Sequence, residues 1–254
     1  LTIIYSTGKG VYVEFTTIIS VVLAIVPALL LVWYFYCRDS LRKEPKGMIF
    51  FAFFLGIVSI LPAIIFALAL GFLETMKNPW LLAFIEAFIT AALVEEISKM
   101  AMLRIFIFNN KNFDEITDGI IYMAIISLGF ACFENIFYSV NDITTALVRA
   151  FTAVPGHALW SGVMGYYVGL GKMQKNKKSS LFLKGLALGI FYHGAYDFVL
   201  FAGTKDELAS EFFWLVFLIF PILIICAIHL HRLLRKALKQ DREMMGMAEM
   251  TEGQ

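Results

Sequence analysis

The chain has 254 residues, of which 60% are hydrophobic, 15% aromatic and only 16% charged, with a formal net charge of +1. Soluble domains are roughly 45–50% apolar and about 25% charged, so this composition excludes an ordinary soluble globular domain. Long apolar runs recur along the whole length, and weakly alternating segments of barrel type do not dominate, which predicts an all-α polytopic helical membrane bundle.

Seven segments are predicted to span: Thr17–Cys37, Met48–Phe72, Trp80–Phe108, Ile116–Val140, Leu147–Gly171, Leu181–Ala202 and Phe212–Leu230. Each can cross a hydrocarbon core of about 30 Å, for which roughly 20 helical residues suffice. The first run ends in aromatic residues and is longer than the apolar part of a signal peptide, so it reads as a span. Residue 1 is Leu rather than Met, so the chain is expected either to lack its natural start or to carry tag remnants.

The connecting charges alternate between the two sides. Arg38, Arg42, Lys43 and Lys46 follow the first span, and Arg104 and Lys111 the third. Lys172, Lys175, Lys177, Lys178 and Lys184 follow the fifth, and Arg232, Arg235, Lys236, Lys239 and Arg242 the seventh. The opposite side has Lys9, Lys77, Arg149 and Lys205. The positive-inside rule therefore predicts an amino terminus outside and a carboxyl terminus in the cytoplasm of a multi-pass cell-membrane protein. Residues 1–232 read as a single transmembrane domain and 233–254 as a basic cytoplasmic tail, with Leu230–Met250 a partly amphipathic surface helix. The juxtamembrane placement of the basic residues is explained by topology and anionic lipid, and argues against nucleic acid as a partner. Cys37, Cys132 and Cys226 lie in separate apolar segments, with neither a disulfide framework nor metal-knuckle spacing. Trp33, Trp80 and Trp214 read as interfacial anchors, whereas Trp160, beside His157, is placed to line a site.

Four polar groupings interrupt the spans: "EEISK" at 95–99, "FACFEN" at 130–135, "GHALWSG" at 156–162 and "YHGAYD" at 192–197. A charge at a helix centre costs roughly 2.5–3.5 kcal/mol on insertion scales, so these groups are expected to face a bundle interior or a wet cavity. Glu95 and Lys99, four residues apart, can pair. Glu96 lies about 100° around the helix and needs another partner. Two adjacent carboxylates in a dry site do not both ionise easily. At about 1.5 Å per residue, Glu134 and His157 fall toward the outer half of the bilayer and Glu95, Glu96 and His193 near its midplane. All can then meet in one layer. Phe130 shares a helix face with Glu134, His157 with Ser161, and His193 with Asp197. An Asp one turn from a His can hold its tautomer, and Asn135 offers an amide donor beside Glu134. Spans one, two and seven carry essentially no ionisable groups in their interiors, so the recurrence on four successive spans points to one shared site.

Such a cluster supports two classes of chemistry. In hydrolysis, a Glu takes a proton from water that attacks a peptide carbonyl, while His and Asn donors hold the oxyanion. Ser161 and Cys132 are weaker nucleophile candidates, each without a supporting pattern. A zinc variant would use Glu and His as ligands, but HExxH spacing is absent and Lys99 opposes a crowded cation site, so no cofactor is expected. In transport, the same groups would relay protons or ions, although the internal repeat usual for transporters is not evident.

"VEEISK", "GFACFENIFY", "HALWSG" and "YHGAYDF" together resemble the PrsW family of membrane proteases, within the wider superfamily of CAAX prenyl proteases and bacteriocin-processing membrane proteins. The similarity covers roughly residues 80–202, the expected catalytic core. It implies a glutamate-dependent intramembrane endopeptidase in which Glu95 activates water and Glu96 orients it or shares its proton. Glu134, His157 and His193 would complete the catalytic set, supported by Lys99, Phe130, Asn135, Trp160 and Asp197. The second superfamily motif usually ends in His, where Glu134 stands here, and the last usually pairs His with Asn, where Asp197 stands here. The oxyanion donors are therefore open between Asn135 and His157. PrsW-like relatives imply a single-pass membrane-protein substrate, such as an anti-sigma factor, cut on its extracytoplasmic side.

Overall fold

The computed structural model describes residues 15–38, 41–139 and 142–252, and these form helices joined by short turns, without strands. Lys9 of the charge pattern and Val140, the expected end of the fourth span, lie outside the described residues. Five stretches are long and apolar enough to cross a membrane: Thr17–Arg38, Lys46–Leu73, Ile116–Tyr138, Lys178–Thr204 and Leu208–Gly246. Large apolar side chains cover their outer surfaces; Phe50 is 74% exposed and Leu68 76%. Apolar faces of that extent are compatible with lipid, not water. The protein is a multi-pass helical membrane protein.

Helix α1 is Phe15–Arg38; α2 (Lys46–Val58) and α3 (Ile60–Leu70) form one stretch broken at Ser59. Pro62 is the cause, because its ring collides with the carbonyl four residues earlier, that of Val58, where α2 ends. A continuous helix then runs from Pro79 to Ile107, capped by Asn78, whose Oδ1 accepts from Leu81 N at 3.0 Å. Its α-helical parts, α4 (Pro79–Phe84) and α5 (Val94–Met102), are joined by a π-helical stretch, Ile85–Leu93, and followed by another, Leu103–Ile107. Such wide turns are rare and recur at functional sites; this one delivers Glu95 and Glu96 at the start of α5. The stretch carries Glu86, Glu95, Glu96, Lys99 and Arg104, which is why it falls short of the apolarity of the other five.

The remaining helices are α6 (Ile116–Ser139), α7 (Ile143–Phe151), α8 (Ala153–Met173), α9 (Lys178–Thr204), α10 (Asp206–Phe212) and α11 (Ile219–Glu252). The expected fifth span, Leu147–Gly171, is not one helix: its first residues belong to α7, and the chain turns at Thr152, with φ −120° and ψ −63°. Pro155 explains the break by the same rule, since the carbonyl four residues before it is that of Phe151, the last residue of α7. Helix α11 runs through position 232 without interruption, so the basic end of the chain continues as helix to Glu252.

Helix α6 is the axis of the bundle, 78% buried over its apolar window. It meets α8 backbone to backbone: a Cβ at Gly119 or Gly165 would collide with the other's carbonyl oxygen. Small residues are what allow helices to approach this closely in lipid. The amino terminus of α6 is held by Asp241 of α11, whose carboxylate accepts from Ile116 N at 2.8 Å, Thr117 N at 3.0 Å and Thr117 Oγ1 at 2.6 Å. Nearby, Tyr122 donates to the buried Glu44 carboxylate. The opposite end of α6 carries Phe130, Glu134 and Asn135.

Candidate active site

The four polar groupings converge. From α5, Lys99 Nζ donates to Glu96 Oε1 at 2.9 Å, to Glu95 Oε2 at 3.1 Å, and to His157 Nδ1 of α8 at 3.1 Å. An ammonium only donates, so His157 Nδ1 must be the acceptor and its hydrogen sits on Nε2. That Nε2 lies 3.1 Å from Glu134 Oε2 of α6, to which it donates. The Phe130 ring covers Lys99, with Nζ 4.1 Å from the ring centroid; a cation over an aromatic face is held by the ring quadrupole.

The second half of the site is built around His193 of α9. Its Nδ1 is 3.1 Å from Glu96 Oε1, and its Nε2 is 3.2 Å from Asp197 Oδ2 and 3.8 Å from Glu95 Oε2. Each ring nitrogen thus faces a carboxylate oxygen, and Asp197, one turn along α9, sets the ring's orientation. Trp160 stacks on the imidazole, centroids 4.6 Å apart and planes 14° from parallel. Ser161 donates to Glu96 Oε2 at 2.6 Å and has Ser127 Oγ at 2.9 Å, so its hydroxyl is spent on Glu96 rather than held as a nucleophile. Cys37, Cys132 and Cys226 are all free thiols, two of them buried.

The two adjacent glutamates are sharply different. Glu96 is fully buried, and Lys99, His193 and Ser161 surround both of its oxygens. The Glu95 side chain is 13% exposed and faces a cavity of about 60 Å3 that Glu134, Arg149, His157, His193 and Asp197 also line. That space admits water, and its polar walls supply the partners that an ordered water requires. A larger groove of about 460 Å3, lined mainly by apolar residues of α3, the Ile85–Leu93 stretch and α6, shares Glu95 and Glu134 with the cavity. Among the described residues, four carboxyls (Glu95, Glu96, Glu134, Asp197) share two permanent cations, Lys99 and Arg149. Burying uncompensated charge is costly, so protons must be held within the cluster, as general acid–base chemistry needs.

Asn135 is buried, but it does not line this cavity, and its Oδ1 accepts from Arg149 Nε at 2.7 Å. Arg149 itself is legible in the sequence only as one of the few charges on the outer side, at the start of the expected fifth span. It reaches the site because α7 folds back over the ends of α6 and α8, and Pro155 was the one sequence signal for that turn.

Glu95, Glu96, His157 and His193 offer ligand atoms within 4.8 Å of one another, a carboxylate and imidazole set of the kind zinc takes. Lys99 Nζ, however, already bonds three of the four. A dication there would have to expel a fully buried ammonium from its acceptors, so the set as arranged does not fit a metal.

The chain matches the family model described as "PrsW family intramembrane metalloprotease" over residues 44–226. It is 36% identical over 182 residues to a protein named Protease PrsW from Geobacillus kaustophilus (strain HTA426), covering 71% of this chain and 79% of that one. The Bacillus subtilis (strain 168) Protease PrsW is 36% identical over 180 residues, 70% of this chain and 81% of its own. The Clostridioides difficile (strain 630) protein of the same name is 30% identical over 226 residues, 83% and 88% of the two chains. No solved structure matches the chain. A matched stretch that contains the whole cluster on α5 to α9, in relatives that are all named proteases, leaves one conclusion: this chain belongs to the PrsW family of intramembrane proteases.

Proposed function

We propose that the protein is a glutamate-dependent intramembrane endopeptidase with Glu95 as its general base. A water in the cavity gives a proton to Glu95 as its oxygen bonds to the scissile carbonyl carbon; the proton then passes to the leaving nitrogen as the C–N bond breaks. Glu96, with both oxygens occupied, fixes Lys99 and His193 around Glu95. Asp197 and Trp160 hold the His193 ring, and His157 links Lys99 to Glu134. Phe130 shields the Lys99 charge. The single observation that carries this reading is the contrast between the glutamates: one is saturated with donors, and its neighbour faces a water-sized space beside an imidazole. No step runs through a metal, since Lys99 already bonds Glu95, Glu96 and His157.

The substrate in this proposal is a membrane-spanning protein, single-pass like an anti-sigma factor, whose helix enters along the groove from lipid. The Pro79–Ile107 and α8 helices would cross alongside the five apolar stretches, giving seven spans with the amino terminus outside and the carboxyl terminus cytoplasmic. The bilayer-embedded domain would cover 1–232, its catalytic core 80–202, and the basic end 233–254 would lie on the cytoplasmic side. Glu134 and His157 sit near the ends of α6 and α8 that this orientation turns outward, so the cut falls near the extracytoplasmic face.

The test is cleavage of a tagged single-span reporter by purified enzyme. Glu95→Gln and His193→Ala are each expected to abolish turnover while melting remains cooperative. A Glu95→Gln enzyme that still cuts would sink the proposal.

A further inference from the structure

Hydrolysis at Glu95, the reading on which this section rests, makes a negative oxygen that some group must receive. Several polar groups around the cavity are already committed, and the one buried N–H there without a partner among the described residues, that of Trp160, belongs to an uncharged ring. Lys99 has three hydrogens and three acceptors, Glu95, Glu96 and His157, and is fully buried behind them. His157 accepts at Nδ1 and gives its Nε2 hydrogen to Glu134. His193 has carboxylate oxygens at both nitrogens. Tyr196 donates to Thr152 Oγ1 at 2.9 Å. Asn135 does not line the cavity.

Arg149 differs from all of these. Its Nη2 donates to Glu134 Oε2 at 2.9 Å and its Nε to Asn135 Oδ1 at 2.7 Å. A guanidinium has five N–H donors, so those two bonds leave Nη1 and one Nη2 hydrogen without a partner among the described residues. The side chain is 17% exposed, lies over the Tyr138 ring at 4.4 Å, and lines the same cavity as Glu95. Helix α7 delivers it rigidly: Asp142 caps the start by accepting from Thr144 N at 3.0 Å and Thr145 N at 3.1 Å, and Ala146 and Ala150 are buried against the bundle. Glu134 and Asn135 hold the fork before substrate arrives, which is the preorganisation that charge stabilisation requires.

We propose that Arg149 is a catalytic residue of this protease, the oxyanion donor that receives the scissile carbonyl oxygen. As the water oxygen bonds to the carbonyl carbon, the C=O π pair moves onto oxygen and is held by the free guanidinium hydrogens. When the carbonyl re-forms and the C–N bond breaks, the pair returns and Arg149 is unchanged.

Steady-state cleavage of the single-span reporter by the purified full chain tests this. Arg149→Met is expected to lower kcat by about 100- to 1000-fold, the cost of removing one oxyanion donor, with KM little changed. Guanidinium added to Arg149→Ala should restore part of kcat, which a purely structural arginine would not allow. Wild-type kcat in Arg149→Met, or a change confined to KM, overturns the inference. If Arg149→Met does not fold, Arg149→Lys decides: it retains the ion pair to Glu134 but not the fork, and wild-type kcat in it overturns the inference equally. An active Glu95→Gln enzyme marks failure of the underlying reading, whereas a dead Glu95→Gln beside a fully active Arg149→Met marks failure of this inference alone.

Discussion

Asp241→Ala removes a buried carboxylate 125 positions along the chain from the helix start that it caps. Ile116 is 2% exposed and Thr117 is not exposed at all, so the two amides and the hydroxyl that Asp241 accepts from are cut off from water. Each buried donor left unsatisfied costs about 1–3 kcal/mol, and an N-cap by itself about 0.5–2. Partial rehydration through the space vacated by the carboxylate brings the expected loss to about 3 kcal/mol, not the full sum. At about 2–4 °C per kcal/mol for a chain of this size, the melting temperature should fall by about 6–12 °C. Asp241→Asn keeps one acceptor oxygen and should lose roughly half as much. Thermal denaturation of purified protein in detergent, followed by circular dichroism, measures both. The cap also reaches the site, because α6 carries Glu134 at its far end; cleavage should decline as the helix loses its anchor. A melting temperature within one degree of wild type in Asp241→Ala would refute the reasoning, and with it the view that α11 is structurally tied to α6.

Two further outcomes follow from the geometry of the cluster. Glu96→Gln strips charge from a buried pair, for which about 3–5 kcal/mol is usual; since Glu95 still faces Lys99 at 3.1 Å, a loss near the lower figure is expected. Its melting temperature should lie below that of Glu95→Gln, and the reverse order would refute the division between an anchoring and a cavity-facing glutamate. Because Lys99 takes the central position, wild-type activity should survive chelators, with elemental analysis finding less than stoichiometric zinc; inactivation by chelation that zinc reverses would overturn the metal-free reading.

Composition and hydropathy alone determined that the chain is a helical multi-pass membrane protein, because about 20 consecutive apolar residues have few alternatives to crossing lipid. They also singled out Glu95, Glu96, Lys99, Glu134, His157, His193 and Asp197, since a charge in hydrocarbon is expensive enough to be conspicuous in any one sequence. What they did not supply was the breaks and the partners. Pro155 divides the expected fifth span through a collision with Phe151, and the resulting turn lets α7 carry Arg149 into the site. Ser161 looked like a partner of His157 on one helix face, yet its hydroxyl goes to Glu96. Asp241, in a stretch that read as a surface tail, caps a helix more than a hundred residues earlier. The tertiary structure decided these because a hydrogen bond across helices depends on how closely they approach, here on glycine contacts such as Gly119 with Gly165, and no spacing within one helix records that distance.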